Sequence, residues 1–159
     1  MAWGRATTHE EALADVLGQL HAHKAHVGVA GHRIVHGGAR FVEPVLIDDA
    51  VVEQMSELAM LALLNQPHNL AGVHAARHAF AGVPDVACFD TAFHAAQPEL
   101  NRRFALPQTL FDAGVRRYGF HGPSYESILA QMFAADRAAC ARPGRHCPPR
   151  QWRLDVRAA

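Results

Sequence analysis

Three short polar stretches carry side chains able to bind and transfer an anionic group. The first, GHRIVHGG at residues 31–38, sets Arg33 between His32 and His36 and closes on Gly37 and Gly38. The second, FDTAFH at 89–94, presents Asp90, Thr91 and His94 directly after an apolar run. The third, GFHG at 119–122, puts His121 between glycines. A guanidinium can hold a carboxylate or phosphoryl group through two parallel hydrogen bonds. Glycines let backbone approach closely. With a carboxylate and an imidazole added, the set suits phosphoryl or acyl transfer. Each type also has a plain structural use: an Arg–Asp pair at a strand end, an Asp capping a turn, a histidine beside glycine. A metal-dependent hydrolase is a further reading, since Asp90 and His94, like His32 and His36, lie four apart, and HAHKAH at 21–26 could also chelate zinc or iron. On extended chain, however, a four-residue spacing does not bring two ligands together as it does on a helix.

The elements around these stretches must bring them together. TTHEEALADVLGQLHAH reads as an amphipathic helix capped by Thr8, with Leu13, Val16, Leu17 and Leu20 at helical spacing. AHVGVAGHRIVHGG gives a short strand, broken at Gly31 and again at Gly37-Gly38. An extended segment interrupted by Pro44 then leads into a helix starting near Asp48 or Asp49, whose Val52, Met55, Leu58 and Ala59 share one face. Pro67 stops that helix and Asn69 caps the next. Val86 to Phe89 form a buried strand. A short helix follows Pro98, VRRYGFHGPSY is a strand or extended loop, and SYESILAQMFAADRAA is helical. Strands alternating with helices make the class α/β. In open α/β sheets, ligands bind outside the carboxyl ends of the strands, where all three polar stretches fall.

Composition narrows the function classes. A chain of 159 residues fits one domain and can bury about 70% of its extended surface. Fifteen basic residues balance fifteen acidic ones, so no global field favours nucleic acid or a charged membrane surface. No apolar run has the length of a membrane span. Cys88, Cys140 and Cys147 are odd in number and irregularly spaced, which argues against a disulfide framework and fits a reducing cytoplasm.

Taken in order, GHRIVHGG, PVLID, NQPHNLAGV, VPDVACFDTAFH and RRYGFHGPSYE resemble the acetate and propionate kinase family over roughly residues 8–135. The resemblance implies part of a ribonuclease H-like domain of the sugar-kinase/heat-shock-cognate/actin superfamily. It also implies reversible transfer of the ATP γ-phosphoryl group to a short-chain carboxylate, with ATP and magnesium as cofactors. Arg33 matches the arginine that binds the carboxylate, Asp90 the catalytic aspartate, and His121 the histidine that hydrogen-bonds the phosphoryl oxygens. Val35, Leu64 and Phe120 match the apolar residues enclosing the substrate's methyl group. One methylene is worth only about 1–3 kcal/mol, so these residues do not separate acetate from propionate.

The sequence departs from the family pattern at several points. Asn65 stands where a histidine usually follows Leu64, and Pro123-Ser124-Tyr125 replaces Thr-Ser-His. The family's Ser-rich turn, phosphate loop and magnesium ligands have no counterpart in this sequence. The expectation is therefore an incomplete acceptor-side region over 1–138, no turnover from this chain alone, and exposed apolar surface; the homodimer usual in the family forms through the other half. A non-catalytic carboxylate-binding module is the alternative. Residues 139–159, rich in Arg and Pro, are expected to be disordered. Back-translated and read one base later, RPGRHCPPRQWRLDVR can yield GRVVIAHLGSGVSMC, which resembles the family's next strand and glycine-rich loop. That points to a frameshifted tail.

Overall fold

The structure, a computed structural model, describes residues 9–23 and 26–135. Helix α1 spans His9–Ala22, and its expected cap, Thr8, lies outside the described residues. Strand β1 is Ala30–Ile34, β2 is Val45–Leu46 and α2 is Asp49–Glu57, followed by a 3-10 turn at Leu58–Leu61. Then come α3 (Gln66–Ala79), β3 (Asp85–Phe89), α4 (Ala92–Ala95), α5 (Glu99–Arg102), α6 (Gln108–Asp112) and α7 (Gly122–Ala135). The chain up to Gly122 is one compact unit; Pro123 opens a second, to which nearly all of α7 belongs. No described helix is long and apolar enough to cross a membrane.

Strand β3 is central, parallel to β1 and antiparallel to β2. A parallel neighbour demands a crossover, which α2 and α3 supply between β1 and β3. Helix α3 packs on β1 and meets both α1 and α2. Ile34 lies opposite Phe89 in the register, and both turn into a core with Phe41, Val52, Met55 and Val73. The Phe41 and Phe89 rings stack 4.7 Å apart.

Two boundaries differ from expectation for a physical reason. Gly31 lies inside β1, because the ladder to Val86 holds it extended and open space surrounds its Cα. Asn69 is not a cap: α3 begins at Gln66, and Pro67 occupies its first turn, where a missing N–H costs nothing. The α2 start is as read, with Asp48 Oδ1 accepting from the Val51 amide at 2.8 Å. Helix α6, unanticipated, follows Pro107. Residues 115–121 form an extended loop with no strand partner. The Arg117 amide, donating to the Arg102 carbonyl at 2.9 Å, ties that loop to α5. Met60, Leu61, Leu63 and Leu64 are exposed, in keeping with the expected apolar surface.

Candidate functional site

Alternation along β1 decides which polar side chains face together. Arg33 is in register with Cys88, and the Asp90 amide still donates to the Ile34 carbonyl at 2.9 Å, so the ladder carries on past Phe89. Arg33 and Asp90 therefore share the face opposite Ile34 and Phe89. Arg33 Nε donates to Asp90 Oδ1 at 2.8 Å and Nη2 to Oδ2 at 2.7 Å. Asp90 is buried, 1% exposed, whereas the Arg33 side chain is largely open. The hydrogen bonds to Asp90, and then its charge, push the guanidinium pKa further up.

His121 arrives from the loop after α6. The contact between Arg33 Nη2 and His121 Nδ1 is 3.0 Å. A guanidinium only donates, so Nδ1 accepts and the ring proton sits on Nε2. His121 holds φ +61°, a left-handed conformation uncommon outside glycine. Its neighbours permit this. The Gly122 amide donates to the Asp90 carbonyl at 2.9 Å, and a Cβ at Gly122 would meet that oxygen at 2.7 Å. A Cβ at Gly119 would fall on the His94 ring.

Arg33, Val35, Asn65, Asn69, Asp90, Phe120 and His121 line an open cavity of about 500 Å³, within the size range of small-molecule sites. Of the sequence-derived set, Leu64 alone is not among the lining residues; it is 83% exposed, and its neighbour Asn65 lines the cavity instead. The sequence pattern marks Asn69 only as a cap. It belongs to the wall, and its Oδ1 accepts from the Val35 amide at 3.0 Å.

His32, His36 and His94 hold the local fold. His32 turns to the opposite face and meets Asp85 at 2.7 Å. His94 Nε2 donates to the Phe120 carbonyl at 2.9 Å. His36, 3% exposed, accepts from the Gly38 amide through Nδ1 at 2.8 Å. Gly37 makes a close approach to Phe41 and Phe89. Among the described residues no group of three His, Cys, Asp or Glu side chains could hold a metal ion; part of the 21–26 run lies outside them. Asp90 is the single carboxylate among the residues lining the cavity, and each of its oxygens accepts one hydrogen bond from Arg33.

Burial lowers the His36 pKa from its ordinary 6.5. The unfolded chain then binds the proton more readily, so this group's stability is present above about 6.5 and lost as pH falls through the depressed folded value. Urea unfolding should show stability dropping on acidification, with a flatter profile in His36→Asn, whose amide oxygen can still accept from Gly38. An unchanged profile in the variant would remove His36 as the cause.

Residues 2–136 match the Acetokinase family. The chain belongs to that family. It is 46% identical over 147 residues to the acetate kinase of Methylocella silvestris, covering 87% of this chain and 36% of that protein. The propionate kinase structure from Francisella tularensis superposes with a TM-score of 0.74 at 30% identity, over 80% of this chain and 34% of that one. For Porphyromonas gingivalis acetate kinase the TM-score is 0.71 at 37% identity, with the same coverage. The chain thus spans about a third of the length of these acetokinase relatives. Its fold is part of a ribonuclease H-like domain of the sugar-kinase/heat-shock-cognate/actin type.

Proposed function

We propose that Arg33, Asp90 and His121 form the acceptor side of an acetate kinase-type phosphotransfer site. It takes acetate or another short-chain carboxylate. In the complete reaction a carboxylate oxygen attacks the ATP γ-phosphorus, the bond to ADP breaks, and an acyl phosphate leaves. The observation that carries this reading is the meeting of these three side chains, from three distant parts of the chain, over one cavity that Val35 and Phe120 also line.

Counting donors refines how an acceptor would be held. Arg33 has five N–H groups: Nε and one Nη2 hydrogen go to Asp90, the other Nη2 hydrogen to His121. Nη1 and the Nε2–H of His121 are left to bind a carboxylate or steady a phosphoryl oxygen. Asp90 holds the guanidinium in place, so the fork is oriented before substrate arrives.

ATP and magnesium, the family's cofactors, supply phosphoryl donor and charge neutralisation, and this reading takes the groups that hold them to lie outside residues 1–138. Purified chain with ATP, magnesium and acetate should therefore give no acetyl phosphate, trapped as the hydroxamate, while acetate binding is lost in Arg33→Ala. Turnover that Arg33→Ala abolishes would make the chain a catalyst by itself. The same reading takes 1–138 as the acceptor-side region and 139–159 as a frameshifted tail, supported by the family match ending at residue 136. Coding DNA read through Ala139 to Arg150 tests it: codons with no shifted family-like frame would remove the frameshift.

A further inference from the structure

A second, smaller cavity lies on the other side of the FDTAFH turn. Gly38, Thr91, His94, Arg102, Arg116 and Arg117 are among its lining residues, and it shares none with the Arg33 cavity. We propose that it binds a small phosphate-type oxyanion.

The charge balance there calls for an anion. The ion pairs formed by arginines of the described residues use Arg33, Arg40, Arg77 and Arg103. Among the described residues Arg102, Arg116 and Arg117 have no carboxylate partner, and a guanidinium cannot relieve repulsion by losing its proton. Arg102 Nε is buried without an acceptor, a costly state for a charged donor. Arg117 spends Nε and Nη2 on the Asn101 carbonyl, which fixes the side chain and leaves Nη1 unused. Arg116 is held over the Phe111 ring, 5.1 Å from its centroid. The Thr91 hydroxyl accepts from the Gly37 amide at 3.0 Å, so its own proton remains to donate.

The space is about 50 Å³, on the scale of one or two water molecules. It takes a single small anion and excludes a nucleotide. A tetrahedral oxyanion of charge near two matches three guanidiniums and a hydroxyl better than a planar carboxylate does.

The test uses the full chain and inorganic phosphate. Arginine-directed labelling with phenylglyoxal is followed by peptide mass spectrometry, in phosphate and in chloride of equal ionic strength. At a phosphate concentration ten times its dissociation constant, Arg102 and Arg116 should react about 10-fold more slowly, since only about a tenth of the sites stay empty. Rates there unchanged by phosphate, or slowed equally by chloride, overturn the proposal. Equal protection by acetate overturns the phosphate assignment. In a thermal scan the phosphate-induced rise should persist in Arg33→Ala and vanish in the Arg102→Gln/Arg116→Gln double variant. The reverse pattern would move the anion to the acceptor cavity and also overturn the proposal.

Discussion

Arg33→Ala should destabilise the first unit by about 2–3 kcal/mol, although the residue removed is the exposed member of its pair. The cost falls on Asp90. Its side chain is 2% exposed, and both carboxylate oxygens take their side-chain hydrogen bonds from the guanidinium. Truncation leaves a buried charge with neither donor, a far larger penalty than losing an exposed ion pair, which is worth at most about 1 kcal/mol. Adding Asp90→Asn to Arg33→Ala removes that charge and should recover about 1 kcal/mol or more, so the two changes are non-additive. Urea unfolding of the two singles and the double measures the coupling. A cost below about 0.5 kcal/mol for Arg33→Ala would mean that water reaches Asp90 freely. Acetate binding should be lost in Arg33→Ala whatever the stability result, because the Nη1 donors go with the side chain.

How far this arrangement could be read from sequence differs residue by residue. Asp48, β3 and the helix after Pro98 were legible because each carries a local signal: a cap, an apolar run, a fixed proline φ. Arg33, Asp90 and His121 stood out only as strand-end polar groups; their order within a family-like set of motifs, not their spacing, singled them out. The histidines around them misled. His32 and Arg33 are adjacent in sequence, yet strand alternation sends one toward Asp85 and the other toward Asp90. His36 and His94 spend ring nitrogens on the Gly38 amide and the Phe120 carbonyl, contacts that no local pattern announces. Asn69 was hidden by its type, since asparagine near a helix start ordinarily signals a cap. Here α3 begins at Gln66, so Asn69 lies inside its first turns and its side chain meets the Val35 amide just past β1. Gly31 shows the converse: a residue that breaks isolated strands is tolerated where a parallel neighbour supplies the ladder.

Gly122→Ala and Gly72→Ala should have opposite signs, although each adds one methyl. At Gly122 the new Cβ would meet the Asp90 carbonyl oxygen at 2.7 Å and Phe93 Cβ at 2.9 Å. The first obstacle is backbone, and the Gly122 amide already donates to that same oxygen at 2.9 Å. The turn can make room only by lifting away from the end of β3, which breaks this hydrogen bond and carries His121 off Arg33. A loss of about 3 kcal/mol is expected, at the upper end for overpacking because the obstacle cannot rotate aside. Anion binding at the Arg33 cavity should weaken with it, since the Nε2–H of His121 is displaced. At Gly72, inside α3, a Cβ meets nothing within 4 Å, so alanine should add about 0.5–1 kcal/mol through helix propensity alone. Urea midpoints of the two variants give the comparison. If Gly122→Ala unfolded at the parent midpoint and bound acetate as the parent does, the close approach of the GFHG turn to Asp90 would not be what positions His121.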